Sequence, residues 1–435
     1  MKQVNQFLVL SAIVLCQTLS AQELARRASW EAKIAWPDNQ IPGAVVSSLE
    51  EHSPLFKAGV RPGDRILQVA DVKILTTDDW DHASYSIRSN MKTKLHVKSG
   101  TNARWIELNL PALDKESHEN IVTYYESIVS DYGIRQRTII TSPDIKKRLP
   151  AIFLVQGLSC STIEKFSDRS NNWVRMINSL VEESGMVVMR VDKPGVGDSE
   201  GNCGCTDFQT ELNGYETALK ELKNKSYVDS TKIIVYGASM GSALAPWLAV
   251  KYNLAGVISD GTFFKTWFEH MLEIERRIRQ MSGDDEAVIT KKMNTVFIPL
   301  YYGMLIQKKS YQEVIDEYPA ISEYNYHAPM HMYGRPMEYY QQLQDFDLAS
   351  SWEKVKVPIR ILYGENDWIM SESDNHMIMD VLNRAGNKDH KLVIYPGLDH
   401  WNTIHKSKED SFNFRSGHWD PNLPKLVIDW VNEII

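Results

Sequence analysis

The sequence of 435 residues predicts an α/β fold whose larger part is a doubly wound, mostly parallel sheet, preceded by a smaller α+β unit. From about residue 121 to the end, short apolar runs alternate with helical stretches, as in a parallel sheet. A Gly-x-Ser-x-Gly sequence lies between one of these runs and the next helix. The alternation lapses at about residues 262–346, which is too long for an ordinary connection and therefore predicts a folded, helical insertion.

The first 21 residues have the pattern of a secretory signal peptide. Lys2 is followed by an apolar core at residues 7–15 and by small residues that end at Ala21. We expect cleavage after Ala21 and export to the periplasm or the medium, with a lipoprotein cysteine at Cys16 as an alternative. The apolar core is short for a membrane span, and no later stretch is long and apolar enough to be one. The net charge of −8 argues against a nucleic-acid partner.

Residues 29–112 are predicted to form the first folded unit. Strands are expected at residues 44–48, 65–70, 94–98 and 105–110, with a helix over 78–88. The stretch 53–67, SPLFKAGVRPGDRIL, resembles the PDZ domain signature, in which glycines cap a short helix and form a tight turn.

The PDZ resemblance implies an extended peptide as partner, bound along a sheet edge at residues 43–46 beside a carboxylate-binding loop at 39–43. That loop lacks the usual Gly-Leu-Gly-Phe sequence, and the alternative is a spacer whose groove binds nothing. The polar residues 113–120 are expected to be a linker, so the second domain begins at residue 121.

The strand–turn–helix sequence around Ser239 predicts a nucleophile. Residues 233–236 are apolar, as in a buried strand, and residues 242–251 open a helix. Between them Gly237 and Gly241 flank Ser239, which predicts a sharp, strained turn where neighbouring backbone leaves no room for side chains two positions either side. The turn places the Met240 N–H at a helix N-terminus, where it favours an oxyanion.

Residues 121–435 resemble the α/β-hydrolase family. In residues 152–159 an apolar strand runs into a glycine loop, and the resemblance implies that the Leu158 N–H is a second oxyanion donor. We expect the following strands and helices. Strands are predicted at 121–129, 137–141, 151–156, 186–191, 232–236, 255–259, 359–363 and 391–395, and helices at 173–183, 210–223, 242–251, 374–384 and 421–433.

The resemblance also implies an acid and a base that follow Ser239 in the chain. Asp367 ends a strand in Gly-x-x-Asp, and His400 lies in the loop after the next strand. A serine hydroxyl is a weak nucleophile, so His400 would take its proton while Asp367 holds the imidazole in the correct tautomer. Several rivals stay open at this stage. They are Glu365 and Asp260 for the acid, His405 and His390 for the base, and Ser199 for the nucleophile.

Residues 190–201 resemble the loop that follows the fourth strand in this family, where Asp192 and Asp198 are expected to fix the backbone. In this fold the third and fourth strands are neighbours, so Cys160 is expected near Cys203 and Cys205. A disulfide from Cys160 to either one is the first interpretation in an oxidising compartment. Three free thiols, or a Cys-x-Cys pair of metal ligands, are the alternatives. We predict no metal and no cofactor.

The sequence thus predicts an exported serine hydrolase that cleaves small-molecule carboxylic esters through an acyl-enzyme intermediate. The alternatives are a serine peptidase or amidase of the prolyl-oligopeptidase type and, in a different class, a peptide-binding protein on an inactive hydrolase scaffold. Aromatic residues of the insertion would line an acyl pocket or pack the insertion itself. They are Trp267, Phe268, Phe297, Tyr301, Tyr302, Tyr333, Tyr339 and Tyr340.

Overall fold

The structure is a computed structural model that describes residues 23–35, 41–89, 91–164, 171–323, 331–332 and 334–435. The predicted signal peptide at 1–21 lies outside these residues. No helix in the described part of the chain is long and apolar enough to cross a membrane. The chain divides into two units: Glu23–Lys115 with Val196–Asp198, and Glu116–Gly195 with Ser199–Ile435.

The N-terminal unit is an antiparallel sheet in the order β1-β2-β3-β5-β6, with β4 paired to β3. Alternate strand residues such as Val46, Ile66 and Leu95 are buried in one apolar cluster. Two helices, α1 (Pro54–Lys57) and α2 (Thr77–Ser86), complete the α+β unit that was predicted. The strands are β1 (Ala32–Ala35), β2 (Ala44–Leu49), β3 (Arg65–Val69), β4 (Val72–Lys73), β5 (Lys92–Ser99) and β6 (Asn102–Asn109).

The predicted position of the peptide-binding edge, residues 43–46, is wrong. Strand β2 is paired on both sides, because Val45 lies opposite Ala35 of β1 and also opposite Arg65 of β3. Its backbone hydrogen-bonding groups are therefore used within the sheet and cannot accept an added strand. Among the described strands of this sheet, β1 and β6 are the outermost. Peptide binding by this unit stays a prediction.

The larger unit is built on an eight-stranded sheet in the order β16-β15-β12-β11-β9-β10-β8-β7. The six strands from β16 to β10 pair in parallel, and β8 and β7 pair antiparallel at one edge. This is the mostly parallel sheet that the sequence predicted. The strands are β7 (Val122–Val129), β8 (Arg135–Ser142), β9 (Leu149–Val155), β10 (Val187–Val191), β11 (Val228–Ala238), β12 (Gly256–Asp260), β15 (Ile359–Gly364) and β16 (His390–Tyr395).

Side chains alternate along the central strands between two apolar layers, as a doubly wound sheet requires. Phe153 and Val235 pack into one layer, whereas Leu154 and Tyr236 pack into the other. Helices cover both faces. They are α3 (Asn172–Glu183), α4 (Phe208–Asn224), α5 (Met240–Tyr252), α11 (Leu348–Lys354), α12 (Glu372–Arg384), α13 (Lys408–Phe412) and α14 (Asn422–Ile434).

The described part of the insertion between β12 and β15 is mainly helical and contributes no strand to the large sheet. Two π-helical turns, Met293–Phe297 and Tyr302–Ile306, flank α8, and the short pair β13–β14 forms a sheet of its own. The further elements are α6 (Trp267–Met281), α7 (Glu286–Lys292), α8 (Ile298–Tyr301), α9 (Tyr311–Glu317), β13 (His331–Met332), β14 (Arg335–Pro336) and α10 (Met337–Gln344).

Candidate active site

Ser239 is the single residue between the end of β11 at Ala238 and the start of α5 at Met240. Its backbone has φ 54° and ψ −123°, a conformation that non-glycine residues rarely adopt. The Ser239 N–H donates to the carbonyl of Asp260 on the neighbouring strand, 2.8 Å away, which holds the turn. The strained turn predicted from the sequence is present.

The two glycines that flank Ser239 are required by close backbone approach. A Cβ atom on Gly237 would lie 2.7 Å from the Ser242 Cα, and one on Gly241 would lie 2.7 Å from the Gln156 carbonyl oxygen. Real Cβ atoms do not make such contacts. Strand β11, helix α5 and the loop after β9 therefore meet at this turn only when both positions are glycine.

The structure brings Ser239, His400 and Asp367 together. The Nε2 atom of His400 lies 3.0 Å from the Ser239 Oγ, and its Nδ1 lies 2.8 Å from the Asp367 Oδ2. The other carboxylate oxygen of Asp367 accepts hydrogen bonds from the N–H groups of Ile369 and Met370, at 2.8 and 2.9 Å. Asp367 is almost fully buried, so four contacts fix the orientation of the acid and the imidazole.

The electrostatics of this pair favour its ionised form. Burial raises the pKa of Asp367, but His400 and the N–H groups of Met370 and Ile369 outweigh it, so the pKa lies below the ordinary value. Burial lowers the pKa of His400, but the negative charges of Asp367 and Asp260 outweigh it, so the pKa lies above its ordinary value of 6.5. An imidazolium formed at this position is therefore stabilised.

The rival acids are engaged elsewhere. Asp260, at the end of β12, accepts a hydrogen bond from the Tyr236 hydroxyl at 2.6 Å, and burial raises its pKa to about 6. Glu365 accepts a hydrogen bond from the Gly397 N–H at 2.8 Å, which ties two loops together. Neither carboxylate is hydrogen-bonded to His400 in the described structure.

The rival bases and the rival nucleophile are also placed elsewhere. His405 pairs with Asp399 at 3.2 Å, and His390 is in β16. The hydroxyl of Ser199 accepts a hydrogen bond from the Arg137 N–H at 2.8 Å and is buried. Of the candidates in the described residues, His400 and Ser239 are the two that face each other.

The loop after β9 lies directly against Ser239. A Cβ on Gly157 would lie 2.9 Å from the Ser239 Cβ and 3.3 Å from its Oγ. The predicted oxyanion donors are the N–H groups of Leu158 in this loop and of Met240 at the start of α5. Within the described part of the chain, neither N–H has a hydrogen-bond acceptor, and both residues line the same cavity as Ser239.

The cavity over Ser239 has a volume of about 1040 Å³. Part of its lining comes from the insertion and includes Trp267, Met271 and Ile274, and the lining also includes Trp173 and Trp401. No lysine or arginine is among the described lining residues. The volume is ample for a drug-sized molecule.

Most of the insertion's aromatic residues pack its own core. Phe297, Tyr301, Tyr339 and Tyr340 are buried in the apolar layer, and Tyr302 is about half exposed. Trp267 is the one member of the predicted set that lines the cavity among the described residues. Tyr333 lies outside the description.

His270 also lines the cavity. It is 3% exposed and packs against the rings of Phe263 and Trp267, at 5.1 and 5.0 Å between ring centroids. Burial lowers the pKa of His270 to about 4, so the imidazole is neutral. Only its register on α6, one turn after Trp267, could have indicated this position.

Cys160 and Cys203 form a disulfide, with their Cα atoms 6.0 Å apart, and Cys205 is an exposed free thiol. The bridge joins the loop after β9 to the short helix Cys203–Cys205 that follows the β10 loop. Of the two partners left open by the sequence, the structure selects Cys203. No group of three or more potential metal ligands occurs in the described residues.

The loop after β10 also holds neighbouring backbone in place through Asp192. Asp192 accepts hydrogen bonds from the Ile163 N–H at 3.0 Å and the Thr162 hydroxyl at 3.1 Å, and it pairs with Arg137. This agrees with the expectation that Asp192 fixes backbone. The next residue, Lys193, contacts the loop beside Ser239 and was missed by the sequence analysis.

Residues 165–405, more than half of the chain, match the family described as serine aminopeptidase, S33 (Hydrolase_4). The chain belongs to this family of serine hydrolases. Residues 45–94 match the PDZ domain family, in agreement with the resemblance of the N-terminal unit.

Curated relatives of this Hydrolase_4 member include an esterase and peptidases. Esterase EstD of Thermotoga maritima is 21% identical over 298 residues, which cover 67% of this chain and 64% of EstD. Dipeptidyl-peptidase 5 of Porphyromonas gingivalis is 26% identical over 203 residues, which cover 42% of this chain and 29% of the peptidase. The chain thus spans less than two thirds of the length of either relative.

Solved structures that resemble this Hydrolase_4 member include two esterases. An esterase of Pyrococcus furiosus is 12% identical with a TM-score of 0.45, over 74% of this chain and 96% of that one. Acetyl xylan esterase 1 of Thermoanaerobacterium sp. is 14% identical with a TM-score of 0.44, over 74% of this chain and 86% of that one.

Proposed function

We propose that the protein hydrolyses carboxylic esters with Ser239 as the nucleophile, His400 as the general base and Asp367 as its orienting acid. The observation that carries the proposal is the continuous pair of hydrogen bonds from Ser239 through His400 to Asp367, at 3.0 and 2.8 Å. The strained turn that presents Ser239 supports it, because such strain is concentrated at functional sites.

The chemistry proceeds in two halves. The Ser239 Oγ attacks the ester carbonyl while its proton passes to the His400 Nε2, and the tetrahedral intermediate breaks its bond to the alcohol, which takes that proton. Water then attacks the acyl-enzyme while its proton passes to the His400 Nε2. The bond between the acyl carbon and the Ser239 Oγ breaks, the Oγ takes the proton back from His400, and the acid product leaves. The N–H groups of Leu158 and Met240 are proposed to bind the oxyanion in both halves.

The charges of the cavity favour a neutral ester over a peptide with a free amino terminus. An aminopeptidase must hold a substrate ammonium, which needs an available carboxylate. The two carboxylates among the described lining residues are Glu164, which pairs with Arg137 at 2.7 Å, and Asp260, which is bound by Tyr236. With neutral His270 and no described cation on the walls, a charged substrate would be poorly solvated.

Export is part of the proposal. The basic tip and apolar core at the N-terminus have the pattern of a signal peptide. The Cys160–Cys203 disulfide supports it, since such bonds persist in oxidising compartments. Fractionation of the producing cells, with thiol counting on the denatured exported protein, tests this point. One alkylatable thiol, that of Cys205, is expected after the signal is removed. A protein found only in the cytosol would contradict export.

The test of the activity is a panel of p-nitrophenyl esters of increasing acyl length, run beside peptide p-nitroanilides with free amino termini. We expect ester turnover that Ser239→Ala and His400→Ala each reduce by several orders of magnitude, because the members of a triad act as a unit. Ser282→Ala is the serine control, since Ser282 is exposed and donates to a carbonyl of its own helix. His405→Gln is the histidine control.

Undiminished ester turnover in the Ser239 variant would contradict the proposal. Loss of activity in the His405 variant, with His400→Ala active, would move the base by five residues. Faster turnover of the p-nitroanilides than of every ester would favour the peptidase alternative. Failure of a fluorophosphonate probe to label the wild-type protein would favour a binding protein on an inactive scaffold.

A further inference from the structure

A buried lysine lies behind the loop that carries one proposed oxyanion donor. The Lys193 ammonium donates to the carbonyl oxygen of Gly157 and, at 3.0 Å, to that of Ser159. Its side chain is fully buried, and it comes from the loop after β10. We propose that Lys193 is a positioning residue that orients the Leu158 N–H toward the oxyanion, an inference that rests on the proposed function of Ser239.

The geometry of the peptide unit explains how a contact on one side acts on the other. The Gly157 carbonyl and the Leu158 N–H belong to the same planar, trans peptide, so they point in opposite directions. An ammonium that holds the carbonyl therefore directs the N–H away from Lys193. Gly157 abuts Ser239, so this peptide lies beside the proposed site of the tetrahedral intermediate. The cation also polarises the peptide and strengthens its N–H as a donor.

The second carbonyl bond fixes the far end of the same loop. Ser159 precedes Cys160, which is bridged to Cys203, so the segment is held by the ammonium and by the disulfide on consecutive residues. A loop without secondary structure would otherwise sample several peptide orientations, each with a different direction of the Leu158 N–H. Two independent anchors remove that freedom before substrate arrives, which is the condition for a preorganised oxyanion site.

Among the described residues, the charges around Lys193 do not balance. The described charged groups that face it are the Glu211 carboxylate of α4, at 3.4 Å, and the Arg335 guanidinium of β14. Arg335 also pairs with Glu211, so two buried cations share one buried carboxylate. The Tyr339 hydroxyl of α10 contacts the same carboxylate at 3.4 Å. A net positive charge in a buried site is costly, but it stabilises an anion that develops on the other side of the loop.

These surroundings bring the pKa of Lys193 close to neutral pH. Burial and repulsion from the Arg335 cation lower the pKa of Lys193 to about 8, although attraction by the Glu211 carboxylate opposes them. The ammonium is therefore charged at neutral pH and is lost in mildly alkaline solution. Activity should fall on the alkaline side as the Gly157 carbonyl loses its cationic donor.

The first test replaces Lys193 by Met, which keeps the length of the side chain without its charge, and by Arg, which keeps the charge. We expect Lys193→Met to lower kcat by about 100-fold with little change in KM, the size seen when one oxyanion donor is removed. Lys193→Arg should recover part of the loss. Lys223→Met is the control, because Lys223 also donates to a backbone carbonyl, that of Tyr252 at 2.7 Å.

The second test separates orientation of the donor from general packing. An aryl boronic acid forms a tetrahedral adduct with the serine, whereas the amide analogue of the ester binds in the ground-state geometry. We expect Lys193→Met to weaken the boronic acid by about the same factor as kcat/KM and to leave binding of the amide unchanged. Equal losses for both molecules, or no loss for either in a folded variant, would overturn the inference.

The pH profile of activity tests the role of the Lys193 charge even where the Met variant does not fold. In the wild type kcat/KM should fall above about pH 8. In Lys193→Arg this alkaline limb should move to higher pH, and in Glu211→Gln, which removes the charge that raises the pKa of Lys193, it should move to lower pH. An alkaline limb of kcat/KM at the same pH in both variants as in the wild type would overturn the inference. Loss of function in Ser239→Ala with normal Lys193 variants would leave the proposed function intact.

Discussion

Two aspartates lie at the carboxyl ends of adjacent parallel strands beside His400, and their surroundings differ. Asp367, after β15, accepts hydrogen bonds from His400 and from two backbone N–H groups, and these donors keep its pKa low despite burial. Asp260, at the end of β12, accepts from the Tyr236 hydroxyl, and burial raises its pKa to about 6. The carboxyl group of Asp367 is therefore held ionised, whereas that of Asp260 is half protonated near pH 6.

The difference shows that the number of donors aimed at a carboxylate, not its place at a strand end, decides whether it can pair with an imidazolium. It also assigns separate effects to the two residues. Asp367 contacts His400 directly and is proposed to fix its tautomer, whereas Asp260 acts on the pKa of His400 through its charge. Variants at and beside the two aspartates test that distinction.

The largest expected effect is the contrast between Asp367→Asn and Asp260→Asn in ester turnover. Asp367→Asn should lower kcat by about 10⁴-fold, because an amide at this position can hold the wrong tautomer of His400. Asp260→Asn should lower kcat by less than about 10-fold, since the Asn oxygen can still accept from Tyr236. Steady-state kinetics on one p-nitrophenyl ester compares them. Similar losses in the two variants would remove the distinction.

A smaller effect is expected at Gly261, the residue after Asp260. Its φ is +61°, and a Cβ would lie 3.2 Å from the Cε1 and Nδ1 atoms of His400. Gly261→Ala should displace the imidazole and lower kcat by about 10-fold. Gly386→Ala is the matched control, because Gly386 has φ +75° with no atom within 4 Å of the added Cβ. An equal loss of kcat in the two variants would show that backbone strain, and not contact with His400, causes the loss in Gly261→Ala.

The acid limb of the pH profile should report the charge on Asp260. Activity requires neutral His400, so it falls as pH drops through the pKa of His400, which lies above 6.5 in the folded protein. Because the Asp260 charge contributes to that rise, Asp260→Asn should shift the acid limb to lower pH by a fraction of a unit. Measurement of kcat/KM from pH 5 to 8 checks it, and a shift to higher pH would contradict the charge effect.

The smallest effect is on stability. The pKa of Asp260 is raised from 3.8 to about 6, so this group favours the folded state fully below pH 3.8 and loses that contribution as pH rises through about 6. Asp260→Asn should therefore increase the free energy of unfolding at pH 7.5, with about 3 kcal/mol as an upper figure, and change it little at pH 4. Denaturant unfolding at both pH values measures this. Destabilisation at pH 7.5 would indicate that Tyr236 needs the carboxylate form.

The sequence was sufficient for the sheet and for the groups around Ser239, because local signals specify both. Strands such as β12 and β15 lie within one or two residues of their predicted positions, since buried parallel strands are short apolar runs with turn residues at their ends. Gly-x-Ser-x-Gly and Gly-x-x-Asp carry their own backbone requirements. The pairing of His400 with Asp367 was expected from the resemblance to the α/β-hydrolase family, in which an acid and a base follow the serine in the chain.

The sequence could not predict contacts between distant segments, because no local pattern marks them. Strand β1 is four residues long, and nothing in it indicates that it would occupy the edge of β2. The contact of Lys193 with Gly157 and Ser159 depends on two neighbouring strands ending at the same depth. The two π-helical turns of the insertion, and the neutral environment of His270, likewise come from packing and not from periodicity.

The proposed function requires that Ser239 carry the acyl group, and mass spectrometry of the trapped enzyme can locate that group. The protein is mixed with a p-nitrophenyl ester, quenched in acid within the first turnovers, digested and mapped. We expect one acyl adduct, on the peptide that contains Ser239, which hydroxylamine removes and which is absent from Ser239→Ala. An adduct on another residue, or full turnover with no adduct in either protein, would contradict it.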